Sequence, residues 1–574
     1  MSPLRAAGVL VGYALVAVVL TWPLARHATS HVVLANIAAF GDPWIVGWAL
    51  AFETRALAGL PHGGIFHPTS RALFYGETAF GALPLFAPPY LLTGNPTLAV
   101  NTVFLGGLAL TAWSLHMVVA RWTGSRRAAV LSAWTFLACP FSVWAWGPSA
   151  INYVTLWYWP WIMLRAATVS TLAGTLALGA LVFAQGLSSA YIAVGVVGPL
   201  LVLAVLRLAR PATRRAGWRL VGAAAIAVTG WAIAFAPFLL MRLDEPDLGR
   251  QTLYPFFSRI AAPSGLFAAG EPSGIAPAAL ALIAAAGVAA LGNRHGRRAA
   301  WRSGLVWAIV GLVLALPPRV LVFGHAIASP VGWLADAGVP MHAVRDNGRR
   351  GLAALIGLCV LVGVAWAECE DWLARARRPV GWLLAGLLAV GIFYGLLRPT
   401  ERRPSPVPRP GRYPLFDART SRGIDSPLLA ALREPGGALL ELPTAPGPIH
   451  HVDAMHRAQH HARPILNGFD GYWPARFPHV MALACRLPDP DALVELRRET
   501  GLEVLLVHLV PQPIGTPVGP YACPPLAPGA RPSPEVPERP WDPSVWETIA
   551  RDGRPDLALV ARDGTDLLFR VTAQ

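Results

Sequence analysis

Long apolar runs separated by short polar segments dominate the first two thirds of this chain. A helix of about 20 apolar residues is long enough to span the hydrocarbon core of a bilayer, and about eleven such runs can be recognised. They lie at 6–24, 97–120, 128–146, 151–164, 171–186, 191–206, 220–241, 275–291, 304–316, 352–367 and 380–397. This pattern predicts an all-α polytopic membrane bundle.

Arginine alternates between the two sides of the predicted bundle. Cationic residues are retained on the cytoplasmic side, so Arg-rich connections indicate that side. The Arg-rich segments hold Arg5; Arg121, Arg126 and Arg127; Arg165; Arg207, Arg210, Arg214, Arg215 and Arg219; Arg294, Arg297, Arg298 and Arg302; Arg375, Arg377 and Arg378. The short connections 147–150 and 187–190 carry no Arg. An odd number of spans then places the N-terminus inside and the C-terminal region outside.

The chain divides into a membrane part and a C-terminal part. Residues 1–398 form the transmembrane domain, with long outer loops at 26–96, 242–274 and 317–350. A Pro/Arg-rich linker follows at 399–412, and residues 413–574 read as a small α/β extracytoplasmic domain with a Pro-rich insertion at 511–540. Within it we predict strands at 438–442 and 504–508, helices at 427–433, 475–485 and 491–498, and a terminal hairpin of 557–561 with 567–571.

Composition supports a membrane location. Hydrophobic residues make up 54% of the chain and charged residues 14%, and the net charge is +15 with every basic residue an Arg. Most of the short Arg clusters lie between apolar runs, so the positive charge indicates which connections are cytoplasmic. We therefore assign no nucleic-acid partner. Five cysteines show no metal-ligand spacing. Cys485 and Cys523 either pair as a disulfide or remain free thiols.

The first outer loop carries the strongest chemical candidate, Asp42 of the sequence GDP. A carboxylate beside a membrane is costly to desolvate, which favours a functional role, whereas Asp followed by Pro is also an ideal helix start. The helix predicted over 43–60 has Trp44 and Trp48 on one face, and we expect it to lie along the membrane surface. Glu53 is expected on its polar, solvated face.

Several segments together resemble bacterial membrane proteins of the GT-C glycosyltransferase superfamily. They are GDPWIVGWALAFETRAL, FYGETAFGALPLFAPPYLLTGNPTLAVN, HAVRDNGRR, GGALLELP, HARPILNGFDGYWP and LEVLLVH. The resemblance implies a GT-C-like fold in the bacterial inner membrane and a polyprenyl-phosphate-linked sugar donor. It further implies transfer of a hexosyl or pentosyl group on the outer face to a glycan, lipid or protein acceptor.

The resemblance also implies residue roles. Asp42 would be the catalytic base, with Glu77 of YGET as a second acidic candidate. The donor phosphate would be bound by Arg345, Arg349, Arg350 and Arg250, because Arg is always charged and binds phosphate in a bidentate manner. Arg349 and Arg350 equally fit simple snorkelling beside the membrane. Trp44, Trp48 and His342 are the substrate-binding candidates.

Two departures from the superfamily pattern bear on metal use. The connection GPSAIN lacks a His that related proteins often carry, and no second acidic residue stands directly beside Asp42. We therefore assign no metal ligand and no cofactor, and leave divalent-metal dependence open.

A histidine cluster lies in the C-terminal domain. Its members are His450, His451, His456, His460 and His461. On a helix, His456 and His460 would share one face and could hold a metal. A polar surface segment is the favoured interpretation, because no further ligand except Asp453 lies at suitable spacing.

Two other classes of protein are alternatives to an enzyme. A lipid or solute transporter needs ionisable groups or broken helices at mid-membrane, and the predicted spans contain almost no charge. A non-catalytic relative that binds glycan or acts as a scaffold would keep the same fold without the chemistry. The glycosyltransferase is the favoured interpretation.

Overall fold

The structure is a computed structural model that describes residues 2–33, 42–76, 78–137, 155–244, 249–250, 297–322, 325–337, 351–376, 386, 415–417, 426–434, 436–444, 449–510, 522–523 and 539–572. The α-helices of these segments are α1 (Pro3–Leu20), α2 (Asp42–Leu57), α3 (Leu83–Thr93), α4 (Pro96–Thr123), α5 (Arg126–Leu137), α6 (Trp159–Thr168), α7 (Leu172–Gly186), α8 (Ala190–Leu208), α9 (Arg214–Ala234), α10 (Ala236–Asp244), α11 (Arg298–Leu314), α12 (Pro330–Asp336), α13 (Leu352–Ala376), α14 (Pro427–Leu432), α15 (Ile449–His461), α16 (Phe477–Arg486), α17 (Pro490–Thr500) and α18 (Pro543–Asp552).

The strands are short and lie mainly towards the C-terminus. They are β1 (His31–Val33), β2 (Gly249–Arg250), β3 (Arg319–Val322), β4 (His325–Ala328), β5 (Leu415–Asp417), β6 (Ala438–Leu442), β7 (Tyr472–Trp473), β8 (Leu502–His508), β9 (Ala522–Cys523), β10 (Arg539–Pro540), β11 (Leu557–Asp563) and β12 (Asp566–Val571).

Five helical segments in the described part of the chain are long and apolar enough to cross a membrane. They are Pro3–Leu20, Pro96–Thr123, Ala190–Leu208, Pro211–Ala234 and Leu352–Trp372, and Phe80–Thr93 and Leu172–Gly186 are shorter apolar helices. Every predicted run that falls within the described segments coincides with a helix in whole or in part. The runs 275–291 and 380–397 lie almost wholly outside those segments, so the total of eleven spans and the orientation stay predictions.

The chain folds as two compact units, each made of separate stretches of sequence. The first unit comprises Met1–Arg26, Thr102–Ala234 and Pro255–Pro414. The second comprises His27–Asn101, Phe235–Tyr254 and Leu415–Gln574. The second unit therefore combines the first predicted outer loop with the C-terminal region.

In the first unit, α11 and α13 pack closely through glycines. A Cβ atom added at Gly311 would lie 2.1 Å from the backbone nitrogen of Ala354, and one added at Gly357 would lie 2.5 Å from that of Ala308. Small residues at such crossings let two helix backbones approach, which is a common way to pack helices in membranes. In the apolar stretch of α13, 94% of the residues are buried. This helix therefore forms the centre of the unit.

Three predicted cytoplasmic segments meet at the C-terminal end of α13. The Arg297 guanidinium lies 2.7 Å from the Asp371 carboxylate and 3.5 Å from that of Glu368. The Ser125 hydroxyl donates to Glu370 at 2.5 Å. These contacts bring together the start of α11, the α4–α5 turn and the end of α13, three segments that the Arg pattern predicts to share one side.

The second unit contains a four-stranded sheet with the order β11-β12-β8-β6. Strands β6 and β8 are parallel, whereas β12 is antiparallel to both β8 and β11. Each predicted strand and helix of the C-terminal domain is present, with ends within a few residues of those expected. The insertion 511–540 lies outside the described residues except for the antiparallel pair β9–β10.

Alternating side chains bury both faces of this sheet. On one face, Leu440, Leu505 and Phe569 pack against residues of α16, α17 and α18. On the opposite face, Leu439 and Leu506 pack against α14, α15 and residues of the first outer loop, including Trp48. The loop at 64–75 and α2 thus supply part of a core whose other half comes from the C-terminal region.

The first outer loop also extends the sheet beyond β6. The backbone of 465–467 runs beside β6, with the Leu466 amide donating to the Leu439 carbonyl at 2.9 Å. On its other side the Phe66 amide donates to the Asn467 carbonyl at 3.1 Å, and the Ile465 amide to the Gly64 carbonyl at 2.8 Å. The motif HARPILNGF therefore joins the two parts of this unit through backbone hydrogen bonds.

Candidate functional site

Helix α2 begins at Asp42, the candidate base, and Pro43 follows in the first turn. Proline is favoured there because its fixed φ suits a helix and its missing N–H is not needed. The backbone therefore matches the helix start expected from GDP. The side chain of Asp42 lies outside the described part of the structure.

Both tryptophans of α2 are buried inside the second unit. Trp44 and Trp48 are each 2% exposed. The Trp44 ring lies 4.0 Å from the ring of His456 in α15, centroid to centroid, and the Trp48 indole donates to the Gly63 carbonyl at 3.1 Å. The expectation that α2 lies along the membrane surface with its Trp rings at headgroup depth was wrong, because α15 covers this face.

The other predicted site residues are only partly visible. Glu77, His342, Arg345, Arg349 and Arg350 lie outside the described residues. For Arg250 the backbone is described, and in β2 it pairs antiparallel with Tyr472 of the GYW segment. Arg250 and Asp42 thus belong to the same unit, and the structure does not test the chemical roles of these residues.

Glu53 is buried, and the prediction of a solvated carboxylate was wrong. Its exposed fraction is 2%, and burial raises its pKa well above the usual range. The reason is that α2 is covered on several sides, by α3, by α15 and by the turn 80–82. A single amphipathic helix would have left this position in water.

The histidine helix α15 is also buried, which corrects the predicted polar surface segment. His451 and His461 are each 5% exposed and His456 is fully buried. Burial lowers the pKa of His450 to about 4 and those of His451 and His461 to about 3, so these imidazoles are neutral at physiological pH. The helix lies between the sheet and α2, where apolar Val452 and Met455 complete its packing.

A metal clamp at His456 and His460 gains no third ligand among the described residues. There, His479, Glu495 and Glu499 form the one set of three potential ligands close enough to share an ion. The His479 imidazole lies 3.5 Å from Glu499, and Arg476 and Arg498 also pair with these glutamates. An exposed ion-pair network accounts for this arrangement.

Sequence reasoning missed a buried charge network between the sheet and α15. Arg457 of α15 donates through Nε to the Glu441 carboxylate of β6 at 2.9 Å. His508, at the end of β8, lies 2.9 Å from the Asp566 carboxylate through Nδ1 and 3.5 Å from Glu441 through Nε2. Four residues far apart in sequence therefore meet at the carboxyl end of the parallel strands.

The pKa values in this network follow from its charges. Burial alone would raise the pKa of Glu441, but the Arg457 charge and the hydrogen bonds from His508 and Arg457 hold it at about 2. Burial and Arg457 would lower the pKa of His508, yet hydrogen bonds to Asp566 and Glu441 leave it raised. Glu441 is therefore ionised and stabilised where it lies.

Two residues of the HARPILN motif have structural roles that explain their polarity. The Arg463 guanidinium donates to the carbonyls of Leu432 at 2.7 Å and Glu434 at 2.6 Å. The Asn467 amide group donates to the Glu441 carbonyl at 3.0 Å and accepts from its backbone N–H at 2.8 Å. These bonds hold the segment against the edge of the sheet.

Cys485 of α16 is disulfide-bonded, whereas Cys359 and Cys369 form no disulfide. Disulfides persist in oxidising compartments and are rare in the cytosol. The disulfide alternative raised by the sequence therefore holds for Cys485.

The whole architecture is similar to a known structure. The crystal structure of ArnT from Cupriavidus metallidurans in the apo state, a GT-C glycosyltransferase, matches with a TM-score of 0.50 and 15% sequence identity, covering 99% of this chain and 98% of that one. No family model matches the sequence, and no curated protein matches it. The GT-C-like membrane fold expected from the sequence is confirmed.

Proposed function

We propose that the protein transfers a sugar from a polyprenyl-phosphate-linked donor to an acceptor on the outer face of the bacterial inner membrane. The observation that carries this proposal is the ArnT-like fold over the full length of the chain. The position of Asp42 supports it, because the backbone places this acidic residue in the first turn of α2, within the first predicted outer loop. Fold likeness alone would fit many activities, so the proposal depends on the acidic and basic residues together.

In the proposed reaction the acceptor hydroxyl attacks the anomeric carbon of the donor sugar. Asp42 accepts the hydroxyl proton as the new glycosidic bond forms and the bond between sugar and phosphate breaks. The departing polyprenyl phosphate takes the electron pair, and Arg345, Arg349, Arg350 and Arg250 stabilise its charge. Glu77 is the second acidic group, and His342 is proposed to bind substrate.

Trp44 and Trp48 have a positioning role in this proposal. Their rings are packed inside the unit, and the Gln459 amide donates to the Trp44 carbonyl at 3.4 Å. They therefore act on the substrate indirectly, by fixing the first turns of α2 on α15. The position of Asp42 depends on that packing.

One feature supports an outer location for the C-terminal region. Cys485 is disulfide-bonded, and disulfides persist in oxidising compartments and are rare in the cytosol.

The test is transfer by purified protein supplied with a polyprenyl-phosphate sugar and a hydroxyl acceptor. We expect Asp42→Asn to reduce turnover at least about 100-fold, the size of a general-base contribution. Asp552→Asn, which changes an exposed aspartate at the end of α18, is the matched control and keeps wild-type turnover. Repeating the assay with a chelator and with added divalent cations decides metal dependence. Unchanged turnover in Asp42→Asn would refute the assignment.

A further inference from the structure

His508 lies between two acidic residues on one face of the C-terminal sheet. It is the last residue of β8 and stands directly opposite Asp566 of β12 in the antiparallel ladder. On its other side, β6 contributes Glu441, which is in register with Leu506, two residues before His508. Residues two apart on a strand share a face, so Glu441, His508 and Asp566 form a charged row across three adjacent strands.

Each ring nitrogen of His508 faces a carboxylate of this row. Nδ1 lies 2.9 Å from Asp566 Oδ1, and Nε2 lies 3.5 Å from Glu441 Oε2. The three side chains are largely shielded from solvent, since the exposed fractions are 3% for Glu441, 16% for His508 and 25% for Asp566. An imidazole donates from both nitrogens only when it carries two protons. The two carboxylates therefore favour the charged imidazolium.

Arg457 of α15 opposes a charge on His508. Its Nη2 atom lies 3.3 Å from His508 Nε2, where it could donate to a neutral ring. The same guanidinium contacts the Glu441 carboxylate, through Nε at 2.9 Å and also through Nη2. Once Arg457 and Glu441 are paired, the Asp566 carboxylate is left to be balanced, and an imidazolium at His508 supplies the positive charge. Charge balance among the four groups therefore favours the protonated ring.

The other titratable groups on this side of α15 do not reverse that balance. Burial and the nearby charges of His508 and Arg457 lower the pKa of His450 to about 4, so this imidazole is neutral. Asp453, between His450 and Arg457 on the helix, would add a negative charge and act in the same direction as Asp566. Burial and Arg457 lower the pKa of His508, but hydrogen bonds to Asp566 and Glu441 outweigh them and leave it raised.

We propose that His508 is an imidazolium bridge that joins β6, β8 and β12 at the carboxyl end of the parallel pair, and that this end of the sheet loosens when the ring loses its proton. A neutral ring would leave the Asp566 carboxylate without its counter-charge and would remove one donor from the charged row. Because Asp566 is the first residue of β12, the terminal hairpin β11–β12 depends on this bridge. No step of the proposed sugar transfer involves His508, so the inference does not rest on the proposed function.

The direction of the pH effect follows from the carboxylates that hold the proton. An imidazole in an unfolded chain has a pKa of about 6.5, whereas the pKa of His508 in the folded protein is raised. The bridge therefore contributes fully below about pH 6.5 and is lost as the pH rises through the raised pKa. A neutral His508 that donates to Asp566 and accepts from Arg457 would show the opposite sign, because protonation in acid would disrupt it.

The test is hydrogen exchange of the full chain in detergent, read at a peptide covering residues 566–571 and corrected for the intrinsic exchange rate. The measured quantity is the ratio of protection in the wild type to protection in His508→Gln, because pH effects common to both chains cancel. This ratio should be highest below about pH 6.5 and should fall by up to about tenfold per pH unit above it.

His479→Gln is the matched control in the same domain. It also removes an imidazole that lies beside two carboxylates, at 3.5 Å from Glu499 and 4.0 Å from Glu495, but its side chain is 53% exposed. Exposed ion pairs contribute little to stability. The ratio of protection in the wild type to protection in His479→Gln should therefore be nearly independent of pH.

Two results for the His508→Gln ratio would overturn the proposal. A ratio that does not change with pH would mean that His508 carries no stabilising charge, and a ratio that rises with pH would mean that the neutral ring is the stabilised form. If His508→Gln does not fold, Asp566→Asn takes its place, because it removes the counter-charge and keeps the imidazole. The corresponding ratio must also fall above about pH 6.5, and a constant value refutes the bridge. These measurements involve no sugar donor, so failure of the proposed transferase activity would leave their outcomes unchanged.

Discussion

The ion pair between Arg457 and Glu441 gives the sharpest prediction about stability. Glu441 is 2% exposed and Arg457 8% exposed, so replacing Arg457 with Met leaves a buried carboxylate without its cation. The matched control is Arg562→Met, which removes an exposed pair in the same domain with 51% and 46% of the two side chains exposed. The two substitutions are chemically identical and differ in burial.

The magnitude follows from the pKa of Glu441. A value of about 2 in the folded protein, against a usual 4.5, corresponds to about 3 kcal/mol of preferential stabilisation of the carboxylate. Removing one partner of a buried pair costs about 3–5 kcal/mol in general, which agrees with this figure. The exposed control pair should contribute no more than about 1 kcal/mol.

Native-state hydrogen exchange of the full chain measures this effect at β8, the strand beside Glu441. We expect Arg457→Met to lower the free energy of opening by about 3 kcal/mol and Arg562→Met by less than about 1 kcal/mol. In a Glu441→Gln background, which has already lost the charge, Arg457→Met should cost only about 1 kcal/mol. Equal costs of Arg457→Met in the two backgrounds would refute the assignment.

The pH dependence of stability provides an independent test of the Glu441 charge. Because the folded pKa of Glu441 is lowered, its contribution is fully present above about pH 4.5 and disappears as the pH falls towards about 2. The difference in Tm between the wild type and Glu441→Gln should therefore shrink in acid. A difference that grows with acidity would contradict the charge assignment.

Two further predictions concern other parts of the chain. Gly311→Ala should lower the Tm in detergent, because the added Cβ would lie 2.1 Å from the Ala354 backbone. The expected loss of unfolding free energy is at the upper end of about 1–3 kcal/mol. Gly12→Ala is the control and should leave the Tm unchanged, because no atom lies within 4 Å of its added Cβ. Cys485→Ser should destabilise the C-terminal region by about 2–5 kcal/mol, and a reducing agent should lower the Tm of the wild type but not of this variant. An unchanged Tm in Gly311→Ala, or equal sensitivity of Cys485→Ser to reduction, would contradict these expectations.

Sequence periodicity predicted the regular elements of the C-terminal domain well, because their signals are local. Strand β6 is a short apolar run between glycines and a proline, and its predicted ends match the structure. Helix α17 starts at Pro490, directly after its N-cap Asp489, and ends at Thr500, before the C-cap Gly501 with a φ of 66°. Capping residues of this kind define a helix whatever packs around it.

The candidate site was less predictable because its surroundings come from distant parts of the sequence. Helix α15 contains His, Arg and Gln at most positions and so resembles an exposed segment. It is buried because α2, about 400 residues earlier, covers the side that the sheet leaves open. Glu53 was misplaced for the same reason, since no pattern within α2 indicates that α3 and the turn 80–82 enclose it.

The packing of α2 on α15 has a consequence for how the proposed chemistry depends on the C-terminal region. Trp44 and Trp48 are buried by residues after position 414, and Gly47 leaves room for Gln459, whose side-chain oxygen would lie 3.4 Å from an added Cβ. The start of α2, where Asp42 lies, is therefore fixed by side chains of α15. Since α15 is itself held by the Arg457–Glu441 pair, a loss of that pair should disturb the position of Asp42 as well as the sheet. The C-terminal region is in this view part of the framework of the proposed site.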